Sequence, residues 1–136
     1  MVAGNPVERL ASRIVEDEAQ RIPASAHDVD IILGVCDKMH PPLSRMAGTI
    51  SYQALLSRAL VLALPDAPTL AALRFEGDGR LVFDPKNPPA VALDPDAVRH
   101  DAIVLVTAFL NLLMTLVGDV VTVRIIRQVW PEVTIE

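Results

Sequence analysis

Between Asp101 and Asp119 seventeen consecutive residues carry no charged side chain. So apolar a segment has two physical outlets, a lipid bilayer or a protein interior. A spanning helix needs about 20 apolar residues. This stretch is shorter and holds Thr107, Asn111 and Thr115. It therefore reads as the buried central helix of a soluble domain, with no membrane span expected; a span over 102–118 is the alternative. Ile103, Val106, Phe109, Leu110, Leu113, Leu116 and Val117 form its inward set. Asp94 or Asp96 supplies a cap at the start, and Gly118 ends or bends the helix.

The rest of the chain must cover that helix. Asn5, Pro6 and Glu8 open a helix over about Pro6 to Gln20, with Val7, Leu10, Ala11 and Ile14 on one face. Its other face carries Glu8, Arg9, Arg13, Glu16 and Glu18. Ser25 and Asp28 signal a second start, and Val29, Ile32, Cys36 and Met39 give a stripe over about Ala26 to Met39. Pro41 and Pro42 are expected to end that helix, with a short helical piece following from Pro42 to Met46. After Gly48, the segment Ile50 to Leu64 reads as a helix with Tyr52, Leu55, Leu56, Ala59, Leu60 and Ala63 inward. Arg58 is its only charge, so it is expected to be central too. Asp119 caps a last helix with Val120, Val123, Ile126 and Trp130 on one side, closed by Pro131; the β-branched run Val120 to Val123 permits a strand as the alternative.

One segment changes period. Short apolar runs at Ala72–Phe75 and Arg80–Phe83 flank Gly77-Asp78-Gly79, which is a hairpin signal. The expected fold is mainly α: a compact helical bundle of about five helices with one small β-hairpin at about 72–83. It forms a single domain over 1–136 with a loose tail at 132–136.

At 136 residues and 51% apolar, the chain can build one core. Net charge is -5 and the basic residues are dispersed, which argues against nucleic acid as a partner. Only the pairs Arg9/Arg13 and Arg124/Arg127 fall at helical spacing. The lone Cys36 excludes an internal disulfide and a thiolate-rich zinc site. No secretory signal opens the sequence, and a reducing, cytoplasmic location is expected.

Chemistry is sparse. His27, His40 and His100 fall in no metal-ligand spacing, the Gly77–Gly79 turn lacks a phosphate loop's further glycines and lysine, and no serine sits in a nucleophile elbow. Cys36 and His40, four apart, are the one nucleophile-like pair. Cys36 also continues an apolar stripe, which makes it a buried structural cysteine. Catalytic, cofactor-binding and metal residues are thus expected to be none. Asn111 and Thr115 share a face, either bonding across a helix interface or lying open to solvent, with ligand binding a third option. Arg124 and Arg127 also share a face, suited to acidic residues of the first helix or to an acidic partner.

Three segments carry a resemblance: Pro42-Leu43-Ser44-Arg45-Met46-Ala47-Gly48, then Leu55-Leu56-Ser57-Arg58-Ala59-Leu60, then Leu112-Leu113-Met114-Thr115-Leu116-Val117-Gly118-Asp119 with Thr122, Arg124, Trp130 and Pro131. Together they resemble a family of small bacterial proteins with no established activity, over about residues 28–132. The resemblance implies no catalytic residue. It implies that the Arg58 region and the Gly118–Trp130 region belong to one recurring unit. Asp119 stands where that family's pattern has glutamate.

The function expected is a non-enzymatic protein-interaction or scaffold domain, self-associating as a homodimer or other homo-oligomer through apolar helix faces, or binding another protein. So many Leu, Val and Ile residues exceed what a domain this small can hide. The alternative is a helical small-molecule or lipid-binding domain with a cavity lined by Leu56, Leu60, Phe109, Leu113 and Trp130.

Overall fold

A computed structural model describes residues 6–21, 29–76, 81–83 and 95–133. Five helices run in order: α1 Pro6–Arg21, α2 Val29–Ala47, α3 Thr49–Ala63, α4 Pro95–Val117 and α5 Asp119–Val129. Two 3-10 turns, Leu64–Asp66 and Pro68–Ala72, follow α3, and strands β1 Leu73–Phe75 and β2 Leu81–Phe83 pair antiparallel. Leu73 faces Phe83 and Phe75 faces Leu81. The protein is mainly α with one small hairpin. Its Gly77–Gly79 turn, the capping residues Asn5, Ser25, Asp28 and Asp94, and tail residues 134–136 lie outside the described residues.

The uncharged helix is the centre. Val98, Ala102, Leu105, Val106, Phe109, Leu110 and Leu113 of α4 are buried at spacings of three and four. α1 and α3 pack most extensively against it, and α2 and α5 complete the cover. α3 runs antiparallel to α4: the Tyr52 ring near its start meets Phe109 edge-on at 6.4 Å, while the turn after its end is tied to Asp101. Asp101, 3% exposed, accepts hydrogen bonds from the Thr69 amide at 3.0 Å and the Thr69 hydroxyl at 2.6 Å. A buried carboxylate is thereby satisfied by the first turn of the second 3-10 segment.

Gly48 joins α2 to α3, and Gly118 joins α4 to α5. Both hold positive φ, +91° and +88°, with extended ψ. This region of backbone space is essentially reserved for glycine. Each corner uses the same bonds: Gly48 N–H donates to Ser44 O and Gly118 N–H to Met114 O, while Tyr52 and Thr122 donate back to the glycine carbonyls. Because α3 and α4 are antiparallel, both corners lie at one end of the bundle. Gly118, not Asp119, is the N-cap of α5, and Asp119 supplies a first-turn acid instead.

Three expectations need correction. α2 continues through Pro41 and Pro42 to Ala47. Those prolines remove the amide partners of the Asp37 and Lys38 carbonyls, on the outer side of the helix. Inward, Cys36, Met39 and Leu43 are buried, and each large side chain buried contributes about 1.5–3 kcal/mol, which offsets the lost bonds. α3 is not central: only Tyr52, Leu56, Ala59 and Ala63 are buried on it, with Leu55 and Leu60 half-buried. Finally, Leu116 and Val120, expected inward, are 69% and 72% exposed, on either side of the turn at Gly118.

Candidate interaction surface

Cys36 and His40, the nucleophile-like pair, both meet Tyr52. Cys36 is buried, and burial, helped by the charge of Asp37, pushes its thiol up to about 12. Burial thus disfavours the thiolate form that a nucleophilic cysteine uses. The His40 ring lies edge-on to Tyr52, centroids 4.7 Å apart, and its Nε2 is buried without a hydrogen-bond partner, as is Ser44 Oγ. Tyr52 donates to the Cys36 carbonyl at 2.9 Å, and burial raises its phenol well above the usual range. Among the described residues no three His, Cys, Asp or Glu side chains gather into a metal-sized group.

One buried polar node was missed in the sequence. Glu18, assigned above to the solvated face of α1, is 4% exposed. Its Oε1 accepts from Lys38 Nζ at 2.6 Å and from the Trp130 indole N–H at 3.4 Å. Gly34 of α2 leaves room for it, since a Cβ there would collide with the carboxylate. The signal was present: Glu18 stands seven after Ala11 and four after Ile14, on the buried stripe. Glu18, Lys38 and Trp130 join α1, α2 and the end of α5. Trp130 itself is 1% exposed.

An internal void of about 20 Å³ touches Leu56, Phe109 and Trp130 of the five expected cavity residues, together with Ile14, Cys36 and Met39. That is room on the scale of one water, about 10–15 Å³ by the same measure, and the lining is apolar. It is a packing defect, not a chamber for a lipid or a drug-sized ligand. Asn111 and Thr115 are exposed, the Thr115 hydroxyl bonding back to the Asn111 carbonyl at 2.9 Å. Arg124 and Arg127 are exposed, and among the described residues neither has an ion-pair partner.

The surface is unusual for its apolar side chains. Among the described residues Met46, Ile50, Val61, Leu62, Leu64, Leu116 and Val120 are large, apolar and exposed. Met46, Ile50, Leu116 and Val120 belong to the glycine-corner end. The outward row of α3 is Ile50, Ala54, Arg58 and Val61, with Leu62 beside it. Ile50 is 84% and Val61 63% exposed. This helix is thus apolar on both sides, one facing α4 and the other facing solvent.

A groove opens between α1 and α5. Two adjoining hollows of about 390 and 430 Å³ share Asp119 and Val123. α1 lines it with Pro6, Arg9, Leu10 and Arg13, a helical spacing of three, four and seven. α5 lines it with Val120, Val123, Arg124 and Arg127 at the same spacing. The two arginine pairs read from the sequence line adjoining hollows, Arg9 and Arg13 the one between α1 and α5 and Arg124 and Arg127 the more open one on α5, though their helices lie far apart in the chain.

By length and composition Asp96–Val117 could also cross a membrane, and 39% of its most apolar window is buried inside the fold. Comparison of the chain with protein-family models, with curated proteins and with solved structures finds no match.

Proposed function

We propose that the protein is a non-enzymatic interaction domain that self-associates through the outward face of α3. The observation that carries this reading is that row of exposed apolar side chains on a helix whose inner face is already packed. Leaving it in water forgoes about 25 cal/mol for each Å² of apolar surface that pairing would bury. A two-fold contact between antiparallel α3 helices uses the row fully. Ile50 then lies opposite Leu62 of the second copy, and Ala54 opposite its Arg58. The small alanine gives the arginine stem a place to lie, with its guanidinium at the wet rim.

The same reading takes α4 as a core helix, not a membrane span, and the cell interior as the location, where a single buried Cys36 stays reduced. The proposal extends to kinship: the segments that resemble small bacterial proteins form the two glycine corners and α3. Sedimentation velocity over a concentration series tests the association. The parent is expected to shift from monomer to dimer as concentration rises, and Ile50→Asp or Val61→Asp to remain monomeric with an unchanged melting temperature. A parent that sediments as a monomer throughout, or variants that still dimerise, would refute pairing through α3.

A further inference from the structure

The groove between α1 and α5 points to a different partner. Its base is apolar, through Leu10, Val123 and Met114. Its borders carry Arg9, Arg13, Arg124 and Arg127. Asp119 is the one carboxylate among the residues that line it. The whole chain has a net charge of -5, so this is a local reversal of sign on an acidic protein. Arg9, Arg124 and Arg127 have no ion-pair partner among the described residues, so their charges are not already neutralised by them. Of the arginines outside the groove, Arg21 binds Asp17 at 2.8 Å and Arg99 reaches Glu16 at 3.4 Å, while Arg45 and Arg58 have no ion-pair partner among the described residues.

We infer that this groove receives an acidic amphipathic helix from another protein. An apolar strip bordered by arginines on both sides complements a helix with an apolar ridge and carboxylates along its flanks. The α5 wall from Asp119 to Arg127 spans about 12 Å, roughly two turns of a partner helix. Asp119 at one end of that wall favours the partner helix's N-terminus there, because the helix dipole makes that end positive. Concavity selects a rod-like occupant over a flat lipid surface. The inference concerns a separate face and does not depend on pairing through α3.

Fluorescence anisotropy with the full chain tests it. The probe is a short, stapled, fluorescein-labelled helix with leucines on one face and glutamates on both flanks. A twin has lysine for every glutamate, and vesicles of phosphatidylserine and phosphatidylcholine form the third arm. The glutamate peptide is expected to bind saturably and the lysine twin not to bind. Added salt is expected to weaken binding, because exposed charges are screened. Arg124→Glu/Arg127→Glu should weaken it by about 10-fold or more, since like charges then face each other. Arg74→Glu, on β1 and outside both surfaces, should leave it unchanged. The three arginines replaced here are exposed, so unchanged melting temperatures will show the variants folded. Failure of the glutamate peptide to bind, equal binding of the twin, undiminished binding to the double variant, or binding to the anionic vesicles alone would each overturn the inference.

Discussion

Trp130 shows how one residue can be read correctly from sequence while its surroundings are not. It is the only tryptophan and stands four after Ile126, and both are buried. Truncating a buried aromatic costs about 3–5 kcal/mol, against a total stability of about 5–15 kcal/mol. Trp130→Ala is expected to lower the melting temperature sharply, and the exposed Arg127→Ala to leave it nearly unchanged. Equal melting curves would contradict the packing described. The indole's partner, Glu18, was not read, because a glutamate on a helix is solvated by default. Only a second helix supplying Lys38 and the missing Cβ of Gly34 makes its burial tolerable. Removing one partner of a buried ion pair strands the other. Lys38→Met should therefore cost about 3 kcal/mol, at the lower end because Lys38 is partly exposed. Glu18→Leu/Lys38→Met should recover most of it. Chemical denaturation of the single and double variants measures both, and a double variant no more stable than the single would contradict the role given to the pair.

At the scale of elements, the helices were legible where period and punctuation agreed. α1, α3, α4 and α5 lie close to the segments read from apolar spacing, and the hairpin follows from a change of period around Gly77-Asp78-Gly79. Proline misled in α2, because local chemistry forbids what Met39 and Leu43, buried one turn apart, jointly reward. Glycine was the more reliable mark: Gly48 and Gly118 both end helices, and both adopt a conformation closed to other residues. No atom lies within 4 Å of a Cβ built at either corner, so substitution there costs backbone strain alone. Gly118→Ala should destabilise by about 1–3 kcal/mol without disturbing any side chain. Urea unfolding provides the test. A variant as stable as the parent would mean that the corner relaxes without cost.

Over the whole molecule, the seventeen uncharged residues set the plan, and the structure wraps four helices around them. What the sequence could not separate was core from surface among the apolar helices. α3 and α4 both read as buried, yet α4 is lined with partners while α3 keeps a row open. Period alone does not say which side of an all-apolar helix meets a neighbour. The two arginine pairs were legible as pairs, but their place on adjoining hollows depends on the turn at Gly118 and the antiparallel run of the helices. The central claim is that α3 pairs antiparallel with α3 of a second copy, and cysteine crosslinking measures it directly. Ala54→Cys and Arg58→Cys chains, each made separately and then mixed, are oxidised and resolved on a non-reducing gel. Cys36 stays buried and silent. The account predicts a crosslinked dimer that forms in the mixture and far less in either variant alone, because position 54 faces position 58 across the two-fold axis. Equal crosslinking in all three samples, or none in the mixture, would contradict it.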